Sequence, residues 1–231
     1  MFLKFFRTII GLLFVPVAIG TAKAFGAAIS QISFLNGVFH ILERGTLVYL
    51  LFHVLVARPI YLYVLGHETV HVLATWICGG KIVSFNVTPS GGNVSTSKTN
   101  FFIELSPYFV PLYTIIIGII FAFLRMIDKV PVFLPEMLLF MIGLSLAFHL
   151  VMTAEALKIR QPDIVKSGMV FSFVLIFVCN LVVVIAVFAP IFSDISFTNF
   201  IRQAYDGSID VYRDLYARSQ YLYAHYLVKQ G

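Results

Sequence analysis

The stretch LGHETVHVLATWICGG, residues 65–80, sets two histidines and a glutamate inside an otherwise apolar run that ends on two glycines. Ionisable side chains in a low-dielectric surround cost free energy unless they are paired or bound. The segment therefore implies a ligand. His67 and His71 are four residues apart; on a helix of about 3.6 residues per turn they project from one face, one turn apart, and their imidazoles can converge on a single cation. Glu68 stands about 100° round the helix from His67, close enough to serve a water beside that cation and outside the coordination shell.

Zinc hydrolases use this spacing. Zinc lowers the pKa of a bound water from about 15.7 to about 7, and a neighbouring carboxylate takes the proton as the water attacks a carbonyl carbon. The protonated carboxyl then returns the proton to the leaving amine. The competing reading is a polar cluster satisfied by neighbouring helices. Two histidines do not complete a catalytic zinc site, which needs a third protein ligand and one open position. The candidates are Asp163, His149, Glu104, Glu155, His53 and His40. Asp163 lies in KIRQPDIVKSG, directly after Pro162, which breaks a helix and can present the carboxylate at the start of the next. On one continuous helix His149 and Asp163 would stand about 21 Å apart, so only one is expected to bind this metal.

Outward from residues 65–80, the apolar stretch 46–78 is too long for one straight span and contains Pro59, which predicts a break near Arg58. The helix carrying GHETVH is then expected from Pro59 to a stop at Gly79 and Gly80. KIVSFNVTPSGGNVSTSKT follows, with Ile82, Phe85 and Val87 among polar residues and PSGG supplying turn chemistry. It reads as a short β-hairpin at or in the membrane surface, the alternative being a solvated loop. Further apolar segments run over about 5–29, 101–124, 132–153 and 165–192. The chain is 231 residues long, 60% hydrophobic and 12% charged, a composition outside that of ordinary soluble domains.

The net charge of +5 is spread over short connections. No basic stripe is present, and nucleic acid is not expected as a partner. Cys78 and Cys179 are too few and too distant in sequence for a disulfide framework. The amino-terminal TAKA resembles a signal-peptide cleavage site, but apolar character continues through Phe25 to Ile29, which favours a retained helix. After Phe192 the chain turns polar and tyrosine-rich, with Ile209, Tyr212, Leu215, Tyr216 and Leu222 near helical spacing, as in a surface amphipathic helix.

GHETVH followed by Gly-Gly, a strand-like loop with PSGG, and a later Asp before a further apolar helix resembles the site-2 protease class of intramembrane zinc metallopeptidases, in its compact branch without inserted domains. The likeness covers about residues 60–190. It implies a three-helix catalytic core that cleaves transmembrane or membrane-adjacent segments of other proteins. By that resemblance His67 and His71 match the histidine ligands, Glu68 the catalytic carboxylate and Asp163 the aspartate ligand. This chain has Asp163-Ile164 where the family has Asp-Gly, and His149 stays open as the alternative third ligand. The resemblance also suggests that IVSFNV or GGNVSTS holds an unwound substrate by β-addition.

With the amino terminus inside, Lys4, Arg7, Lys81, Lys98, Lys158, Arg160 and Lys166 lie on inner connections, and Lys23, Arg44, Arg125 and Lys129 on outer ones. The bias puts the metal nearer the cytoplasmic face. The expected architecture is an all-α, multi-pass transmembrane bundle of about five to six helices with a short β-hairpin after the HExxH helix. A membrane domain over 1–192 would precede a polar tail over 193–231. The expected function is zinc-dependent endoproteolysis of membrane-protein substrates in the lipid bilayer. The alternatives are an inactive relative that binds membrane clients, or a transporter-like bundle with a histidine-ligated ion or cofactor.

Overall fold

A computed structural model describes all residues except 1, 34, 89–90, 128–130, 132 and 229–231. Pro89 and Ser90 of the PSGG turn, Lys129 of the outer charges and the Val132 start of the fourth apolar segment lie outside the described residues. The chain is mostly helical, in the order α1 (Phe2–Leu13), α2 (Val15–Ile29), α3 (Gly37–Leu55), α4 (Ile60–Ile77), β1 (Ile82–Thr88), β2 (Gly91–Thr96), α5 (Phe101–Leu105), a 3-10 turn (Ser106–Tyr108), α6 (Leu112–Leu124), α7 (Phe133–Leu157), α8 (Pro162–Ser167), α9 (Met169–Phe188) and α10 (Phe197–Val228).

Among the described residues, four helical stretches are long and apolar enough to cross a membrane: Phe5–Ile29, Gly37–Leu55, Phe133–Leu157 and Met169–Phe188. A fifth is added if Phe101–Tyr108 and Leu112–Leu124, bent by 73° at their junction, count as one span. Helix α4 is not among them. It is 18 residues long, about 27 Å at helical rise, and its two histidines and glutamate dilute its apolar content.

The chain divides into two compact units, one of residues 33–172 and one of residues 1–32 with 173–231. In the first, α3 and α7 meet backbone to backbone. A Cβ on Gly45 would lie 2.0 Å from the Phe140 carbonyl oxygen, and one on Gly143 would lie 2.2 Å from that of Leu42. Thr46 Oγ1 donates to the Gly143 carbonyl at 3.2 Å across this seam. Small residues permit such an approach, which dispersion and interhelical hydrogen bonds then hold. Tyr49, Phe148 and Met152 extend the seam into an aromatic core with Tyr63 and Tyr113 packed against it.

The break between α3 and α4 falls at Val56–Pro59, where proline cannot continue the helical ladder. At its other end α4 closes on a Schellman motif: Gly79 takes φ +68°, its N–H reaches the Trp76 carbonyl at 2.9 Å, and the Gly80 N–H reaches Thr75 at 2.8 Å. The hairpin is antiparallel, with Thr88 opposite Gly91 and Ile82 opposite Thr96, and with an irregularity between Ile82 and Ser84. In the other unit, α2 and the first half of α10 pack closely. A Cβ on Gly20 would meet the Ser208 backbone nitrogen at 2.4 Å, and the Tyr212 hydroxyl donates to the Leu13 carbonyl. Beyond Tyr212 the exposed aromatic residues Tyr216, Tyr221 and Tyr223 follow. Asn180, within α9, donates to the Ile176 carbonyl of its own helix at 2.9 Å.

Candidate metal centre

Helix α4 presents His67 and His71 on one face, their ring centroids 4.9 Å apart and their planes at 78°. Asp163, in the first turn of α8 behind Pro162, completes the group. Its Oδ2 lies 3.6 Å from His71 Nε2 and 4.0 Å from His67 Nε2, and the three ligand atoms all fall within 4.8 Å of one another. In a tetrahedral zinc site with bonds of about 2.0–2.1 Å, neighbouring donors stand about 3.3 Å apart. The Asp163 separations of 3.6 Å from His71 and 4.0 Å from His67 are longer than that, and the group must draw together to hold an ion. Two imidazoles and a carboxylate form a donor set suited to zinc.

The orientation of His71 is built in. Its Nδ1–H donates to the Ile103 carbonyl at 2.7 Å. A carbonyl only accepts, so the proton sits on Nδ1 and the Nε2 lone pair is left for a metal. Ile103 holds its place because Asn100 caps α5, Oδ1 accepting the Ile103 N–H at 2.9 Å. His67 Nδ1 has no hydrogen-bond partner among the described residues; its ring is held by the edge of Tyr108 at 4.9 Å and by Tyr63 at 5.7 Å. Burial pushes the Asp163 carboxyl up, but the two facing imidazoles, when protonated, push it down further, leaving it below the usual carboxylate range.

Glu68 is buried, at 7% exposure, and lies beside the metal-ligating face. Strand β2 rests directly on it: a Cβ on Gly92 would meet Glu68 Cγ at 2.5 Å and Oε1 at 2.8 Å. Only glycine permits that approach. A cleft of about 1020 Å³ opens here, lined by His67, Glu68, His71 and Asp163 and by every residue of β2. Within the sheet β2 pairs only with β1, so its cleft-facing edge has no strand partner among the described residues.

The remaining sequence candidates are outside the three-donor group, although Glu104 and Glu155 line the same cleft. His149 of α7 lines a separate cavity of about 20 Å³ with Tyr63, His67 and Phe148, and is not in the three-donor group. His53 meets the Tyr49 hydroxyl at 3.1 Å, and His40 pairs with Glu43 at 3.1 Å. Glu155 pairs with Arg58 and Lys158 at the edge of the cleft. Glu104 is tied to α8 through Ser167. Sequence reasoning missed the Ile103 carbonyl, the Tyr108 ring and the Gly92 contact. A backbone carbonyl carries no residue-type signal, and only the glycine pair after PS hinted at a close approach. Both cysteines are free. No family model, curated protein or solved structure matches this chain.

Proposed function

We propose that the chain is a multi-pass membrane protein and a zinc-dependent endopeptidase of the site-2 protease class, cleaving transmembrane or membrane-adjacent segments of other proteins. The observation that carries this reading is the convergence of His67, His71 and Asp163 on one wall of a cleft that also holds Glu68 and an unpaired strand edge. Zinc, when bound by the three donors, supplies Lewis acidity to a scissile carbonyl and lowers the pKa of water to about 7. The chain's own residues supply the rest. Glu68, kept close by Gly92, takes a proton from the attacking water and delivers it to the leaving amine.

The β2 edge accounts for substrate geometry. A transmembrane helix hides its carbonyls in its own hydrogen bonds, and an extended segment added to β2 offers them in the open, held by main-chain bonds that do not depend on sequence. Inner lysines and arginines outnumber outer ones, which favours a metal near the cytoplasmic face.

The test is metal content and cleavage measured on the same purified full-length chain. One zinc per chain and cleavage of a membrane-anchored reporter are expected in the wild type; Glu68→Gln keeps the zinc and loses the cleavage. A wild type that holds zinc but cuts no reporter, and whose Glu68→Gln form traps the same clients as the wild type, would favour the inactive relative instead.

A further inference from the structure

Glu104 is not one of the three donors, yet it joins the supports of two. It is buried at 8% exposure and follows Ile103, whose carbonyl orients His71. Its Oε2 accepts from the Ser167 hydroxyl, and its Oε1 accepts from the Thr99 hydroxyl at 3.1 Å. Ser167 is fully buried at the end of α8, four residues beyond Asp163 and so one helical turn along. One carboxyl group thus clamps α5, which sets the ring of His71, to α8, which carries Asp163.

From this we infer that Glu104 is a positioning residue that fixes the distance between His71 and Asp163 and thereby sets the grip of the site on its metal. The inference rests on the metal-centre reading above. Packing alone does not call for a carboxyl here. A leucine would fill the space without the cost of desolvating a charge, but it could not hold two hydroxyls on two different elements. The hydrogen-bonded carboxyl sets a length, and a metal site needs one, since the outer partners that orient ligands are typically worth about 10–100-fold in metal affinity.

The experiment measures zinc affinity of the full-length protein in nanodiscs by competition with a chromogenic chelator, together with the visible spectrum of the Co²⁺-loaded chain. Glu104→Leu should weaken zinc binding by about 10–100-fold and shift the Co²⁺ bands. Glu104→Gln, which still accepts from Ser167 and can donate to the Thr99 oxygen, should stay within about threefold of wild type. Ser167→Ala should weaken binding in the same direction, and the Glu104→Leu/Ser167→Ala pair should be little worse than either alone, because both cut one link. Should Glu104→Leu fail to fold, Ser167→Ala and its Co²⁺ spectrum decide the matter, since that change removes one oxygen atom. Wild-type affinity and spectrum in Glu104→Leu, or in Ser167→Ala where the first does not fold, would overturn the inference while leaving the metal centre standing. A wild-type chain that binds no zinc removes the metal centre itself.

Discussion

Two helices of the same compact unit bury histidines, and they do so to different ends. On α4, His67 and His71 face a carboxylate across 3.6–4.0 Å at the wall of a cleft of about 1020 Å³. On α7, His149 is equally buried, but its cavity of about 20 Å³ has room for about one water. Residue type and burial are the same; what differs is the company. A metal site requires several donors whose lone pairs meet at one point and an approach for substrate. Only the α4 histidines have both, which the substitutions below are ordered to test.

The largest effect is expected on Glu68, because it lies in the cleft beside the donors without being one of them. Glu68→Gln should reduce reporter cleavage by about 10²–10⁴-fold, the range general-base catalysis supplies, with zinc content unchanged. Cleavage at the wild-type rate would remove Glu68 from the chemistry. Next comes the ligand pair: His71→Ala should abolish stoichiometric zinc, since it deletes both a donor and the ring that Ile103 orients. Zinc retained at one per chain in that variant would show that the histidines do not form the site.

Asp163→Ala should weaken zinc by more than the about 10–100-fold that loss of an outer partner of a ligand costs, and by less than His71→Ala, which also removes the ring that Ile103 orients. Its pH behaviour adds a check. Because the folded carboxyl is held below the usual range, its contribution to stability is complete above about pH 3.9 and is lost only as pH falls through the lower folded value. Since imidazole ordinarily titrates well above a carboxyl, zinc released on acidification above about pH 5 should follow protonation of imidazole and not of Asp163. A zinc-free chain whose stability drops sharply between pH 6 and 5 in the wild type but not in Asp163→Asn would contradict that ordering.

The comparison also explains what could be read from residues alone. The break at Pro59, the stop at Gly79 and Gly80, and the hairpin are local, written in residues whose backbone preferences act within a turn. His67, His71 and Glu68 could be grouped for a similar reason, since the helical spacing of HExxH is a local geometry, whereas Asp163 was one of six candidates for a third donor, preferred only through the family resemblance. Gly45 and Gly143 gave no such warning, since their close approaches, to Phe140 and to Leu42, join residues far apart in sequence and depend on what each glycine lacks. The 73° bend after Tyr108 falls between Pro107 and Pro111, where the helical ladder loses its donors. The first apolar segment proved to be two helices, α1 and α2, meeting at Phe14.

A smaller effect is expected at Gly92, where β2 leans on Glu68. Any added Cβ must displace the strand or the carboxylate, because the nearest atoms would stand 2.5–2.8 Å away. Gly92→Ala should lower cleavage by about tenfold with zinc unchanged, which separates the geometry of the general base from metal binding. Equal activity would show that strand and carboxylate relax independently.

His149→Leu should leave the metal in place as well, and that makes it the sharpest test of the contrast. The substitution removes the imidazole and keeps most of its volume in a core shared with Tyr63, Phe148 and Tyr113. If His149 is a core side chain, zinc affinity should stay within about twofold of wild type, the change appearing instead as altered thermal stability of about 0.5–3 kcal/mol, the usual size for a single substitution. If His149 supplied the third donor, affinity would fall as steeply as in Asp163→Ala, and the Co²⁺ spectrum would lose the signature of a nitrogen ligand. The two variants measured side by side thus decide which carboxylate or imidazole closes the site, and whether burial alone ever marked it.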